Sequence, residues 1–201
     1  MDNSDEPAEK PVGIPGNRDV RGVLSDPGAD RCVIACPPHP KLGGSSADRR
    51  LTSVCDRLTK QGVASVRFDY GEWDRGPGEL TDTERTLEWA QHRYERVGVY
   101  GFSFGGTLAL LCGANSAPAV VCALAPTAGI GDLDAVSALE RIDAPVTVVY
   151  GERDTTAEYE PVVERATELS IDTVGLPADH FFVGQTATVA DTVTEALLDG
   201  L

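Results

Sequence analysis

Short runs of apolar and β-branched residues alternate along this chain with longer stretches whose apolar positions recur every three or four residues. The runs at 19–24, 31–37, 64–69, 97–101, 119–125, 145–150 and 171–175 read as strands. The clearest spans Pro145 to Tyr150 (PVTVVY), almost continuously apolar and β-branched, as a strand covered on both faces should be. Among the longer stretches, 46–61 places Leu51, Val54, Cys55 and Leu58 at i, i+3, i+4 and i+7, on one face of a helix. Residues 81–95 open on Thr81 with Glu84 three positions later, a capping-box pattern. Further helices are expected over 104–114, 156–169 and 187–199. Such alternation predicts an α/β protein with a mostly parallel sheet of about seven strands flanked by helices. In such sheets chemistry gathers at the carboxyl ends of the strands.

The 201 residues suit one domain with a sizeable core. Residues 1–17 are polar and interrupted by Pro7, Pro11 and Pro15, so they are expected to form a flexible acidic tail, leaving 18–201 as the folded domain. The chain opens on acidic residues, unlike a signal peptide, and no apolar run approaches the ~20 residues that span a bilayer. A cytoplasmic location is expected. The five cysteines (Cys32, Cys36, Cys55, Cys112, Cys122) are odd in number and lie in or beside apolar runs with neither CxxC nor zinc spacing. Buried, reduced thiols and no metal are the expectation.

Charge narrows the partners. With 32 acidic and 17 basic residues the formal charge is −15, which argues against nucleic acid and anionic membrane surfaces. Three of the basic residues are lysine (Lys10, Lys41, Lys60) and the others arginine. Abundant carboxylates and scarce lysine resemble cytosolic proteins of salt-accumulating halophiles, in which surface charge is screened over a few ångströms.

The candidate chemistry centres on Gly101-Phe102-Ser103-Phe104-Gly105-Gly106, which follows an apolar strand and precedes a helical stretch. A serine lifted above a sheet on a strained strand-to-helix turn needs neighbours without side chains, here Gly101, Gly105 and Gly106. Serine is a poor nucleophile without a base. Of three histidines, His92 lies in a charged helical stretch and His39 in a proline-rich loop, whereas His180 follows the last strand by a few residues. An orienting carboxylate is supplied by Asp154, just past strand 145–150, with Asp132, Asp134 and Asp179 as competitors. The order is then Ser103, Asp154, His180. Phe104, following the serine, is expected to donate one backbone N–H to an oxyanion. The second donor is expected from the loop His39-Pro40-Lys41-Leu42-Gly43-Gly44, at Lys41 or alternatively Leu42.

These motifs, together with Ala178-Asp179-His180-Phe181-Phe182 and the turn Gly151-Glu152-Arg153-Asp154, resemble small capless α/β-hydrolases of the dienelactone-hydrolase-like branch. The resemblance spans about 19 to 200. It implies an α/β-hydrolase fold, a small-molecule acyl substrate, an acyl-serine intermediate and no cofactor. Two positions depart from the pattern. Dienelactone hydrolases proper use a cysteine where Ser103 stands, and the turn after strand 64–69 reads Asp69-Tyr70-Gly71-Glu72-Trp73-Asp74-Arg75-Gly76 rather than Arg-Gly-x-Gly. Trp73 and Phe102 are candidate pocket walls. Only about 20 residues separate strands 119–125 and 145–150, too few for a large cap. An esterase or thioesterase acting on small soluble substrates follows. The alternatives are a non-catalytic binding protein of this fold, or a peptidase or acyltransferase using the same three residues.

Overall fold

The computed structural model describes residues 8–201. The first strands are β1 (Lys10–Ile14), β2 (Val20–Ser25) and β3 (Arg31–Cys36), followed by α1 (Arg49–Lys60), β4 (Ala64–Asp69) and α2 (Pro77–Gln91). Then come β5 (Arg96–Phe102), α3 (Phe104–Asn115) and β6 (Val121–Leu124). A small hairpin, β7 (Gly129–Ile130) with β8 (Leu133–Asp134), and one helical turn, α4 (Ala135–Ala138), occupy the segment where a cap would insert. The chain ends with β9 (Val146–Gly151), α5 (Glu160–Glu168), β10 (Asp172–Leu176) and α6 (Thr186–Gly200).

One eight-stranded sheet runs in the order β1-β2-β4-β3-β5-β6-β9-β10. β2 is antiparallel to both β1 and β4, and every other neighbouring pair is parallel. Side chains on β3 alternate between two cores: Cys32, Ile34 and Cys36 join the cluster under α2 and α3, and Val33 and Ala35 the cluster under α1 and α6. The face of α1 read from the sequence is the one that packs, since Leu51, Val54, Cys55 and Leu58 are all buried. All seven predicted strands are present.

Two expectations are corrected. Residues 10–14 are not tail but strand β1, which makes the sheet eight-stranded rather than about seven. Pro11 masks it in sequence, yet an edge strand tolerates a residue with no N–H to donate, and Ile14 anchors the strand in the core. Residues 1–7 of the expected tail lie outside the described residues. The start of α2 also lies four residues earlier than the Thr81–Glu84 pattern implied. Gly76 is its N-cap, and the Glu79 carboxylate accepts the backbone N–H groups of Gly76 and Asp74, both at 2.7 Å. Thr81 instead donates its hydroxyl to the Pro77 carbonyl.

Among the described residues no helix is long and apolar enough to cross a membrane. The five cysteines are buried and unbridged. Burial pushes the thiols of Cys55, Cys112 and Cys122 up to about 12, and those of Cys32 and Cys36 upward as well. Their thiolates are therefore scarce at neutral pH. Native protein should release no thionitrobenzoate from Ellman's reagent over minutes at pH 8, and five equivalents after guanidinium denaturation.

Candidate active site

Five loops leave the carboxyl ends of parallel strands and meet above the sheet. The turn after β5 carries Ser103, which caps α3 with φ 56° and ψ −119°. A left-handed serine costs on the order of 1–3 kcal/mol, so the surroundings must hold it. They do so through backbone: Ser103 N–H donates to Leu124 O (2.8 Å), and Ser103 O accepts from Thr107 N–H (3.0 Å). A Cβ at Gly105 would strike the carbonyls of Cys36 and Pro37, and one at Gly101 would strike the backbone of Gly105. The glycines are thus required by close approach of three chain segments. Thr107, fully buried, ties this turn to the next strand's exit by accepting from Thr127 N–H at 2.9 Å.

The turn after β9 carries Asp154 and the loop after β10 carries His180. His180 Nε2 lies 3.0 Å from Ser103 Oγ, and His180 Nδ1 lies 2.6 Å from Asp154 Oδ2. The Asp154 side chain is fully buried and that of His180 is 6% exposed. The other oxygen of Asp154 accepts the backbone N–H groups of Thr156 (2.7 Å) and Ala157 (3.0 Å). Those two bonds aim the carboxylate at the imidazole. The competing carboxylates are elsewhere: Asp134 caps α4 through Ser137, Asp132 is exposed, and Asp179 accepts from Phe181 N–H within its own turn. His92 is exposed and caps the end of α2.

The loop after β3 corrects the choice of second N–H donor. Lys41 N–H donates to His39 Nδ1 (3.2 Å), and Leu42 N–H donates to His39 O (3.0 Å), so both amides are turned into their own loop. His39 sits between Pro38 and Pro40, which have no N–H, and its own amide donates to no acceptor among the described residues. Its ring lies 5.0 Å from that of Phe104, the residue whose N–H opens α3. Burial holds the His39 imidazole below its ordinary pKa, which keeps Nδ1 free to accept from Lys41. Gly44 is fixed by close approach to the Pro38 carbonyl, and Gly43 by φ 84°. Tyr70, unremarked in sequence, donates its hydroxyl to Pro37 O at 3.0 Å and so braces this loop from below.

The two candidate pocket walls lie in different places: Trp73 packs beside Phe104, and Phe102 lies beneath the imidazole of His180. The Trp73 ring packs, tilted, at 4.6 Å from the His39 ring and 5.7 Å from that of Phe104. Its loop is held by buried acids: Asp82 accepts from Arg18 and from Gly71 N–H, and Glu79 from Asp74 and Gly76 N–H. Phe102 is 2% exposed and lies beneath the imidazole, 5.3 Å from the His180 ring. It faces the sheet's α1 side, as its strand parity requires, and supports the histidine instead of lining a cavity. Among the described residues no three His, Cys, Asp or Glu side chains gather to hold a metal ion.

Comparison with known proteins bears on the fold. The model of the X-Pro dipeptidyl-peptidase (S15) family matches residues 60–142, a segment that includes Ser103 and stops before Asp154 and His180. A protein of Aquifex aeolicus (strain VF5), assigned as a carboxymethylenebutenolidase, is 26% identical over 170 residues, 73% of this chain and 72% of that one. An α/β serine hydrolase homologue from Coxiella burnetii superposes with a TM-score of 0.82 at 24% identity, covering 94% of this chain and 97% of that one. A lidless α/β serine hydrolase from Xanthomonas campestris superposes with a TM-score of 0.80 at 22% identity, covering 96% and 95%. The chain has the α/β-hydrolase fold without a cap domain.

Gly105→Ala tests the close approach at the turn. With backbone carbonyls on the receiving side, nothing flexible can give way, and the variant should lose about 3 kcal/mol in urea unfolding. Gly184→Ala, where open space surrounds the position, should lose less, through its left-handed φ alone.

Proposed function

We propose that this protein is a serine hydrolase that cleaves a small ester or thioester through an acyl-Ser103 intermediate. One observation carries the reading: a continuous hydrogen-bonded relay from Ser103 Oγ to His180 to a buried, doubly anchored Asp154. His180 Nε2 takes the hydroxyl proton as Ser103 Oγ attacks the acyl carbon, then returns it to the leaving group. Water repeats the sequence to release the acid. Asp154 keeps the Nδ1 proton in place and stabilises the imidazolium. The N–H groups of Phe104 and His39 are the oxyanion donors in this reading, the first at a helix N-terminus whose dipole favours negative charge.

Substrate size follows from the segment between β6 and β9. It is spent on a two-residue hairpin and short helical turns, which leaves the serine uncapped and suits compact acyl groups. Trp73 offers them an apolar wall. The exposed large hydrophobic residues among those described are Leu42, Phe181 and Val183, all on the two loops that border the site, which favours substrates with an apolar portion. The name of the Aquifex relative is in keeping with a hydrolase. The match to a dipeptidyl-peptidase family supports a second reading, cleavage of an amide, and a panel of matched ester, thioester and amide substrates separates the two.

Ser103→Ala should lower kcat on p-nitrophenyl acetate by roughly 10⁴ or more and abolish labelling by a fluorophosphonate probe. Turnover equal to the wild type would remove Ser103 from the mechanism. Asp154→Asn should lower kcat by about 10⁴, because the amide favours the wrong imidazole tautomer. We also propose that the acidic surface is adapted to concentrated salt. Its formal charge of −15 is self-repelling, so the midpoint of thermal unfolding should rise between 0.1 M and 2 M KCl.

A further inference from the structure

α1 begins against its own electrostatics. Its N-cap is Asp48, its first turn holds no acidic residue, and its first two positions are Arg49 and Arg50. Cations there oppose the helix dipole and are normally unfavourable. A local rule broken this way is expected where a residue serves something beyond its own helix.

The Arg50 guanidinium does so in three directions. Nε donates to Asp48 Oδ1 at 2.8 Å and Nη2 pairs with Asp48 Oδ2, a two-point ion pair that fixes the plane of the group. Nη1 reaches across the fold to donate to the carbonyl of Phe181 at 3.0 Å. The cationic carbon lies 4.1 Å above the centre of the Phe102 ring. Both remote targets adjoin the proposed base. Phe181 follows His180 in sequence, and Phe102 packs under its imidazole at 5.3 Å. The helix end is itself secured, since Arg50 O accepts from the buried Tyr100 hydroxyl at 3.2 Å.

The loop needs such a hold. Phe182 adopts φ 52°, an unfavourable backbone for an aromatic residue. Phe181 is 53% exposed and Val183 more so, leaving Phe182 as the apolar anchor of this stretch. The Arg50 bond falls on the carbonyl immediately before the strained residue.

We propose that Arg50 is a positioning residue for His180: it clamps the loop at Phe181 O and the underlying ring of Phe102, and so holds the imidazole between Asp154 and Ser103. This rests on the relay read above as catalytic, and its test separates the two. With about an ångström of freedom at the base costing up to ~10²-fold, Arg50→Met should lower kcat by about 30-fold with KM changed less than twofold. Arg50→Lys keeps the charge but not the planar fork and should fall between. Methylguanidinium should restore part of the rate to Arg50→Ala. Arg57→Met, which removes a more exposed arginine of the same helix, should match the wild type. The readout independent of turnover is the far-downfield proton resonance of the 2.6 Å His180–Asp154 bond, identified by its absence in His180→Gln. It should be sharp in the wild type and broadened or lost in Arg50→Met while far-ultraviolet dichroism stays native. An unchanged resonance, a loss confined to KM, or the absence of rescue would overturn the role of Arg50. A silent wild type with a resonance sensitive to Arg50 would instead overturn the hydrolase reading and leave the clamp standing.

Discussion

The left-handed backbone of Ser103 is the constraint around which the rest of the fold is arranged. It is unfavourable by itself, and it persists because three chain segments press so closely on the turn that only hydrogen atoms fit between them. The same approach sets the spacing of β3, β5 and β6, whose registers bring Cys36 opposite Gly101 and Phe102 opposite Leu124. It also sets the start of α3, which Ser103 caps.

Around that point, charge is buried only where it is answered. Asp154 has two backbone donors and an imidazole, Glu79 two backbone donors, and Asp82 a guanidinium and a backbone N–H. Each anchors a loop through bonds to backbone N–H groups. Such groups specify a conformation more than they add stability, since an apolar substitute of equal volume is often no worse for folding. The loops bordering the site are therefore defined by directional bonds, and the two cores below them by packing.

The strands were legible because parallel strands covered on both faces are written as unbroken apolar runs, and 145–150 is the plainest of them. The three residues of the relay were legible because few histidines compete and because chain order restricts the acid. β1 was hidden by Pro11, whose cost vanishes at a sheet edge. The start of α2 was hidden because Gly76 caps with no side chain and the work is done from inside the helix by Glu79. The misassigned amides of Lys41 and Leu42 show where pattern gives out: a Pro/Gly loop tells that N–H groups are turned, and not which way. Phe102 was misplaced for a similar reason, since proximity in sequence to Ser103 says nothing of which face a strand residue takes. Arg50 had a faint signal, two arginines at a helix start, but the carbonyl it holds, that of Phe181, lies 131 residues away.

β10 pairs with β9 alone, at the far edge of the sheet from the strands laid down first. As the chain is made, β3, β5 and α3 are complete while the segment bearing His180 is still unsynthesised. The serine turn is thus written early in the chain, and its hydrogen-bond partner His180 late. A chain truncated before β10 keeps the serine turn's sequence and lacks both the strand and the loop that bring His180 within 3.0 Å of Ser103 Oγ.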